Sequence, residues 1–181
     1  MRDNYMNYIK SDLMRYYGNW TLSTFIKAVF FNRTFRFQMS YRLCHAQGFM
    51  HFVGIVLWKM NRTKYHIQIP LTTKIGYGLY IGHGGPLVVS GTCEIGNNCN
   101  LSQFTTIGSN HNNGARIGNN VYIGPNCCIV ENVIIGSNVT IGAGSVVTKC
   151  IPDNATAAGN YAKVLNYNNP GRFINNKFLI E

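Results

Sequence analysis

From Ile69 to Val147 an aliphatic residue returns every six positions: Ile69, Ile75, Ile81, Val89, Ile95, Leu101, Ile107, Ile117, Ile123, Ile129, Ile135, Ile141 and Val147. Glycine often follows it, as at Ile75-Gly76, Ile95-Gly96 and Ile141-Gly142. A small or branched residue sits four places on, as at Thr73, Cys93, Cys99, Thr105, Val121, Cys127 and Ser145. Two intervals break the count, Ile81 to Val89 by two residues and Ile107 to Ile117 by four. Side chains alternate along a strand, so positions i and i+4 face one side. Two more residues turn a corner, and three strands with three corners close a triangular coil of about eighteen residues. Stacked coils satisfy one another's backbone groups as parallel sheets. A β-sandwich has no fixed six-residue count, so the pattern predicts a mainly β chain built on a left-handed parallel β-helix over 69–152. Asn97-Asn98, Asn119-Asn120 and Ser137-Asn138 fall at corners, where Asn and Gly tolerate positive φ. Residues 153–181 read as a closing segment and tail.

Residues 1–68 follow a different period. Tyr5, Tyr8, Ile9, Leu13 and Tyr16 fit one helical face. Thr21 or Ser23 can cap a longer helix running through Phe25 and Val29 toward Leu43, and Gly48 separates it from a short third helix, Phe49 to Met60. Aromatics and arginines interleave here, from Phe31 and Arg33 to Tyr41 and Arg42. The plain reading is a helical cap on the β-helix. The sharper reading is an interfacial patch that docks on an anionic membrane.

Charge sharpens that second reading. The net charge is +10, and ten of the 16 Lys and Arg lie in residues 1–68, against only Asp3 and Asp12. Such a half favours an anionic partner: a membrane surface or a phosphorylated substrate. No nucleic-acid-binding motif accompanies it, so nucleic acid is not expected. The six cysteines show no zinc-ligand spacing, and Met1 leads into a polar stretch rather than a secretory leader. They read as reduced packing residues; Cys99 should stack on Leu79 and Val121, and Cys127 on Thr105 and Ser145. The expected compartment is the cytoplasm, with any membrane contact at its inner face. No metal is expected.

Regular repeats are scaffold, so chemistry is sought where they break. The first break holds Gly82-His83-Gly84-Gly85-Pro86. Imidazole takes a proton from a hydroxyl near neutral pH, and flanking glycines let a substrate approach the backbone. The second break, Gly108 to Arg116, carries Asn110, His111 and Asn113 and is long enough to overhang a neighbouring surface.

The segment Ile67 to Leu165, about 100 of the 181 residues, resembles the serine acetyltransferase branch of the hexapeptide-repeat acyltransferases. The landmarks are Lys74-Ile75-Gly76-Tyr77-Gly78, the His83 turn, Gly142-Ala143-Gly144-Ser145-Val146-Val147 and Ala158-Gly159-Asn160-Tyr161-Ala162-Lys163-Val164. The resemblance implies a homotrimer with sites between subunits and acetyl-CoA as co-substrate. It also implies that His83 is the general base and that transfer is direct. Gly108, Gly124 and Ala143 are then the expected backbone positions along the cofactor, with Lys149 and Lys163 toward its phosphates.

The chain departs from that family where the acceptor binds. The family's Asp fifteen residues before the histidine is Gln68 here, the Asp immediately before it is Gly82, and the Arg-His pair of the long loop falls at Asn113-Gly114. An amino-acid acceptor loses its charged partners together. The expected acceptor is therefore a sugar hydroxyl in a cell-surface glycan (capsule, exopolysaccharide or lipopolysaccharide), with Gln68, Gly82, Gly84, Asn110, His111 and Asn113 as orienting or acceptor-binding residues. Serine O-acetylation and a non-enzymatic trimeric scaffold are the alternatives.

Overall fold

The structure, a computed structural model, describes residues 5–179; Asp3 and Glu181 lie outside them. Among the described residues four helices come first: α1 (Tyr5–Tyr17), α2 (Leu22–Phe31), α3 (Arg33–Leu43) and α4 (Gly48–Tyr65). Short strands follow: β1 (Ile67–Gln68), β2 (Lys74–Ile75), β3 (Tyr80–Ile81), β4 (Leu87–Val89), β5 (Glu94–Ile95), β6 (Asn100–Leu101), β7 (Thr106–Ile107), β8 (Arg116–Ile117), β9 (Tyr122–Ile123), β10 (Cys128–Ile129), β11 (Ile134–Ile135), β12 (Thr140–Ile141), β13 (Val146–Val147), β14 (Thr156–Ala158) and β15 (Lys163–Asn166). They form three sheets, ordered β1-β4-β7-β10-β13, β2-β5-β8-β11 and β3-β6-β9-β12-β14-β15. Every pairing is parallel except β14 with β15. This is a parallel β-helix of about five turns.

The six-residue period maps onto the register. Each period residue points inward and is buried, except Ile75, which is half-buried. The positions four places on fill the same interior, including Thr73, Cys93, Cys99, Cys127 and Ser145. Pairing of Asn100 with Tyr80 and Tyr122 sets Cys99 between Leu79 and Val121, and pairing of Cys128 with Thr106 and Val146 sets Cys127 between Thr105 and Ser145. Burial pushes the Cys99 thiol up to about 12, so it packs as a neutral thiol. Corners are fixed by Asn98, Asn120 and Asn138, all with positive φ. Asn120 and Asn138 pass a side-chain ladder to Asn154, each rung 3.0 Å.

The helical segment differs from the sequence expectation in three ways. The long second helix is two: Asn32 adopts extended backbone, ends α2, and accepts the Phe35 N–H with its side chain to start α3. An N-capping side chain can outcompete helix continuation wherever a turn in direction lets both helices pack. The last helix runs five residues beyond Met60, to Tyr65, where His66 turns left-handed at φ 55°. The coils also begin at Ile67, inside the stretch assigned to the helical region. Gly54 lets α4 lie against the end of α3, since a Cβ there would sit 2.5 Å from the Cys44 backbone nitrogen.

The helices are held by the polar edge of the first coil. Strand β3 begins its sheet, so its outer backbone groups lack a strand partner. Helix side chains take that place. Ser11 and Asp12 accept the N–H groups of Gly78 and Leu79; Arg15 and Gln38 donate to the carbonyls of the same two residues. Tyr16 meets both the N–H and carbonyl of Ile81. Arg42 donates to the Ile75 and Gly76 carbonyls while pairing with buried Asp12 at 2.9 Å. The tail then runs back along the third sheet: Asn100 donates to the Phe173 carbonyl, Asn98 and Phe178 exchange hydrogen bonds, and Arg15 reaches the Asn175 carbonyl.

Candidate active site

His83 lies at the corner where the third sheet hands over to the first, between β3 and β4. It has φ 60°, Gly84 φ 67° and Gly85 φ 110°, three left-handed residues in a row that only a glycine-rich turn sustains at low cost. The Gly84 N–H bonds the Gly82 carbonyl at 2.7 Å, which pushes the His83 side chain outward into an exposed position. Arg33, at the start of α3, donates to the His83 carbonyl and packs on Gly84, where a Cβ would lie 2.9 Å from the Arg33 Nε. The helical segment thus props the turn from behind. The alternation of aromatics and arginines along the chain carries no sign of this contact, which joins residues fifty apart.

Three further corners stack on the His83 corner in one column. Gly82, Ser102, Gly124 and Gly142 each donate a backbone N–H to the next coil, at 2.8 to 3.1 Å. His83, Gly124 and Ala143 therefore share one edge of the molecule. Small residues keep that edge narrow: a Cβ on Gly124 would lie 2.8 Å from the Ala143 nitrogen. Gln103 belongs to the same column, beside Gly85. Its side-chain oxygen is buried with no hydrogen-bond partner among the described residues, an unclaimed acceptor beside the histidine turn that the six-residue pattern could not single out.

The second break sits on a different column. Gly108 bonds the Ile129 carbonyl at 3.0 Å, between Ser90 below and Val130 above, at the opposite edge of the first sheet from His83. Beyond it, Glu131 gathers the loop. Its carboxylate accepts from the N–H groups of Asn110 (2.8 Å) and His111 (2.9 Å), the Ser109 hydroxyl (3.1 Å) and the His111 Nδ1 (2.7 Å). Asn113 closes the loop through its N–H to the Ser109 Oγ and its carbonyl to the Asn132 N–H. These bonds, His111 foremost, hold the Glu131 carboxyl down at about 2. A carboxylate one corner above an inserted loop was the available sequence signal. Because the folded value is depressed below the ordinary 4.5, the clamp is at full strength above that value and is lost as pH falls toward 2. Glu131→Ala should free Asn110 and His111: their amide hydrogens should exchange at rates near those of an open loop at neutral pH, while amides of β6 and β9 stay protected.

The remaining expected residues are scattered. Gln68 pairs with Val88 in the first sheet and is exposed; it lines a groove of about 510 Å³ with Lys59, Arg62 and His66. No hydrogen bond joins Gln68 to His83 among the described residues, so the orienting contact expected of it is not made. Lys149 follows β13 and Lys163 opens β15, and both are exposed. A groove of about 760 Å³ lies elsewhere, on the second sheet beneath Tyr8, Tyr41 and Arg42. Neither His83 nor the His111 loop lines it.

Residues 114–149 match the family described as bacterial transferase hexapeptide (six repeats). The chain is similar to a serine acetyltransferase from Brucella abortus strain S19, at 26% identity and a TM-score of 0.77 over 92% of this chain and 70% of that one. It is similar to the coenzyme A complex of serine acetyltransferase from the same organism, at 25% identity and a TM-score of 0.73 over 89% and 67%. It is also similar to serine acetyltransferase from Neisseria gonorrhoeae in complex with serine, at 25% identity and a TM-score of 0.72 over 90% and 69%. No curated protein matches the chain in sequence. The likeness is to acyltransferases, and it takes in helices as well as coils.

Proposed function

We propose that this chain transfers the acetyl group of acetyl-CoA to an acceptor hydroxyl, with His83 as the general base. The observation that carries this is the His83 turn, an exposed imidazole held at the head of a column of small corner residues. The imidazole takes the proton of the acceptor hydroxyl as its oxygen attacks the thioester carbonyl, then returns it to the departing sulfur. Exposed backbone at Ala143, in the same column, suits a developing oxyanion and amide-bearing chain. Lys149 and Lys163 supply exposed positive charge for phosphates. His83 and the His111 loop occupy opposite edges of one sheet without enclosing a groove, which supports a threefold assembly in which a neighbour's loop completes each site.

The residues around His83 favour an uncharged, sugar-like acceptor of the kind found in cell-surface glycans. Each carboxylate among the described residues is engaged elsewhere: Asp12 by Arg42, Glu94 by Lys74, Glu131 by its loop, and Asp153 by the Ser137 N–H. None of these contacts involves the His83 turn. The second reading, serine as acceptor, is favoured by the comparisons, since the solved neighbours are serine acetyltransferases. Release of free CoA with a panel of serine, nucleotide sugars and oligosaccharides separates them. Sugar-dependent release is expected; serine-dependent release selects the second reading, and release with neither overturns the acetyltransferase assignment.

A further inference from the structure

We propose that the outer faces of α2 and α4 form a docking surface for an anionic lipid bilayer. On α2, Leu22, Ile26 and Phe30 recur at a spacing of four, one stripe of a helix; Leu22 is 74% exposed and Phe30 69%, with Phe31 beside them at 84%. On α4, Phe49, Phe52, Val56 and Met60 make a second stripe, with Phe49 77% and Phe52 64% exposed. The opposite face of α4 is the buried one, through Gly54 and Trp58. Arg36 ties the two helices together at one end, donating to the Val29 and Phe30 carbonyls and to the Tyr65 hydroxyl. Soluble surfaces rarely gather so many exposed aromatic side chains without an occupant.

Charge identifies the occupant. Lys59 and Lys64 flank the α4 stripe on its two sides, Arg62 lies beyond Lys59, and Lys27 borders the α2 stripe; all four are exposed. No carboxylate occurs anywhere between Asp12 and Glu94 in the sequence. An apolar stripe edged with cations and free of anions suits the headgroup boundary of an anionic leaflet, where the rings enter the acyl region and the cations stay at the phosphates. A second copy of the same face would set lysine against lysine, which disfavours self-pairing. Among the described residues no helix is long and apolar enough to cross a membrane, so the helices would lie on the surface.

The test uses the full chain and sedimentation with two vesicle types, phosphatidylcholine alone and phosphatidylcholine mixed with phosphatidylglycerol, at about 0.15 M ionic strength. The chain should pellet with the mixed vesicles and stay in solution with the neutral ones. Each basic residue near the surface contributes about fivefold to partitioning, so Lys59→Gln/Arg62→Gln/Lys64→Gln should weaken binding about a hundredfold. Phe30→Ser/Phe52→Ser should abolish it without lowering the melting temperature, since both rings are exposed. Protein that remains in the supernatant with both vesicle types, or partitions equally to both, overturns the proposal. So does a phenylalanine variant that shrinks the oligomer while leaving vesicle binding unchanged, which would assign the face to a second copy of the chain.

Discussion

His83→Ala should lower acceptor-dependent CoA release by about a hundredfold to ten-thousandfold, the range typical of losing a positioned general base. The side chain is exposed and no side chain among the described residues hydrogen-bonds it, so the change should cost less than about 0.5 kcal/mol of stability. Turnover and unfolding measured on the same preparation therefore separate chemistry from folding. Retention of more than about a tenth of wild-type turnover would move the base elsewhere, with His111 the first place to look. Arg33 should act differently. It meets the turn through the His83 carbonyl and Gly84, so its loss should blunt turnover through a looser turn and leave a pH profile of wild-type shape.

Arg42→Met should be the most destabilising single change in the helical segment. The guanidinium is buried, bidentate to Asp12 at 2.9 and 3.2 Å, and donates to two strand-edge carbonyls at 2.8 and 2.7 Å. It also lies over the Tyr8 and Tyr41 rings. Removing one partner of a buried pair leaves the other uncompensated, which costs about 3–5 kcal/mol. That is a large share of the roughly 5–15 kcal/mol that holds a domain folded. Burial already pushes the Asp12 carboxyl up, and Arg42 is the main force opposing it. Without Arg42 the carboxyl should take up a proton, which caps the loss. Asp12→Leu/Arg42→Met should be less destabilised than the sum of its single changes, because neither member of the pair is left as an uncompensated charge, though the Leu79 N–H loses its acceptor at about 1–3 kcal/mol. Urea midpoints at one protein concentration test this, since assembly adds to apparent stability. Additive losses would show that the pair is held by packing rather than by charge.

Both predictions turn on how differently the two halves of the chain can be read. The coils were legible because every six-residue unit repeats the same inward positions, so each unit confirms the next. Even the sulfur stacking of Cys99 and Cys127 follows from counting. The helices were legible as elements but not as boundaries. Asn32 reads as an ordinary residue inside a helical stretch, and only its position between two helices that pack in different directions makes it a stop and a start.

At the candidate site the sequence located the two interruptions, and with them His83 and His111, because an insertion in a strict repeat is visible without any structure. Set against the family resemblance, it also showed Gln68, Gly82 and Asn113-Gly114 where charged acceptor partners were expected. The partners of those loops belong to tertiary structure. Glu131 lies twenty residues from His111, yet clamps it because stacked coils bring their corners together. Arg33 lies fifty residues from His83 and reaches it because α3 packs on the first coil. Gln68, which the family resemblance made one candidate orienting or acceptor-binding residue, lines a separate groove. A period fixes which side chains share a face; which loops meet depends on how the helices close the open edge of the first coil, and that is decided by hydrogen bonds between residues far apart in the chain.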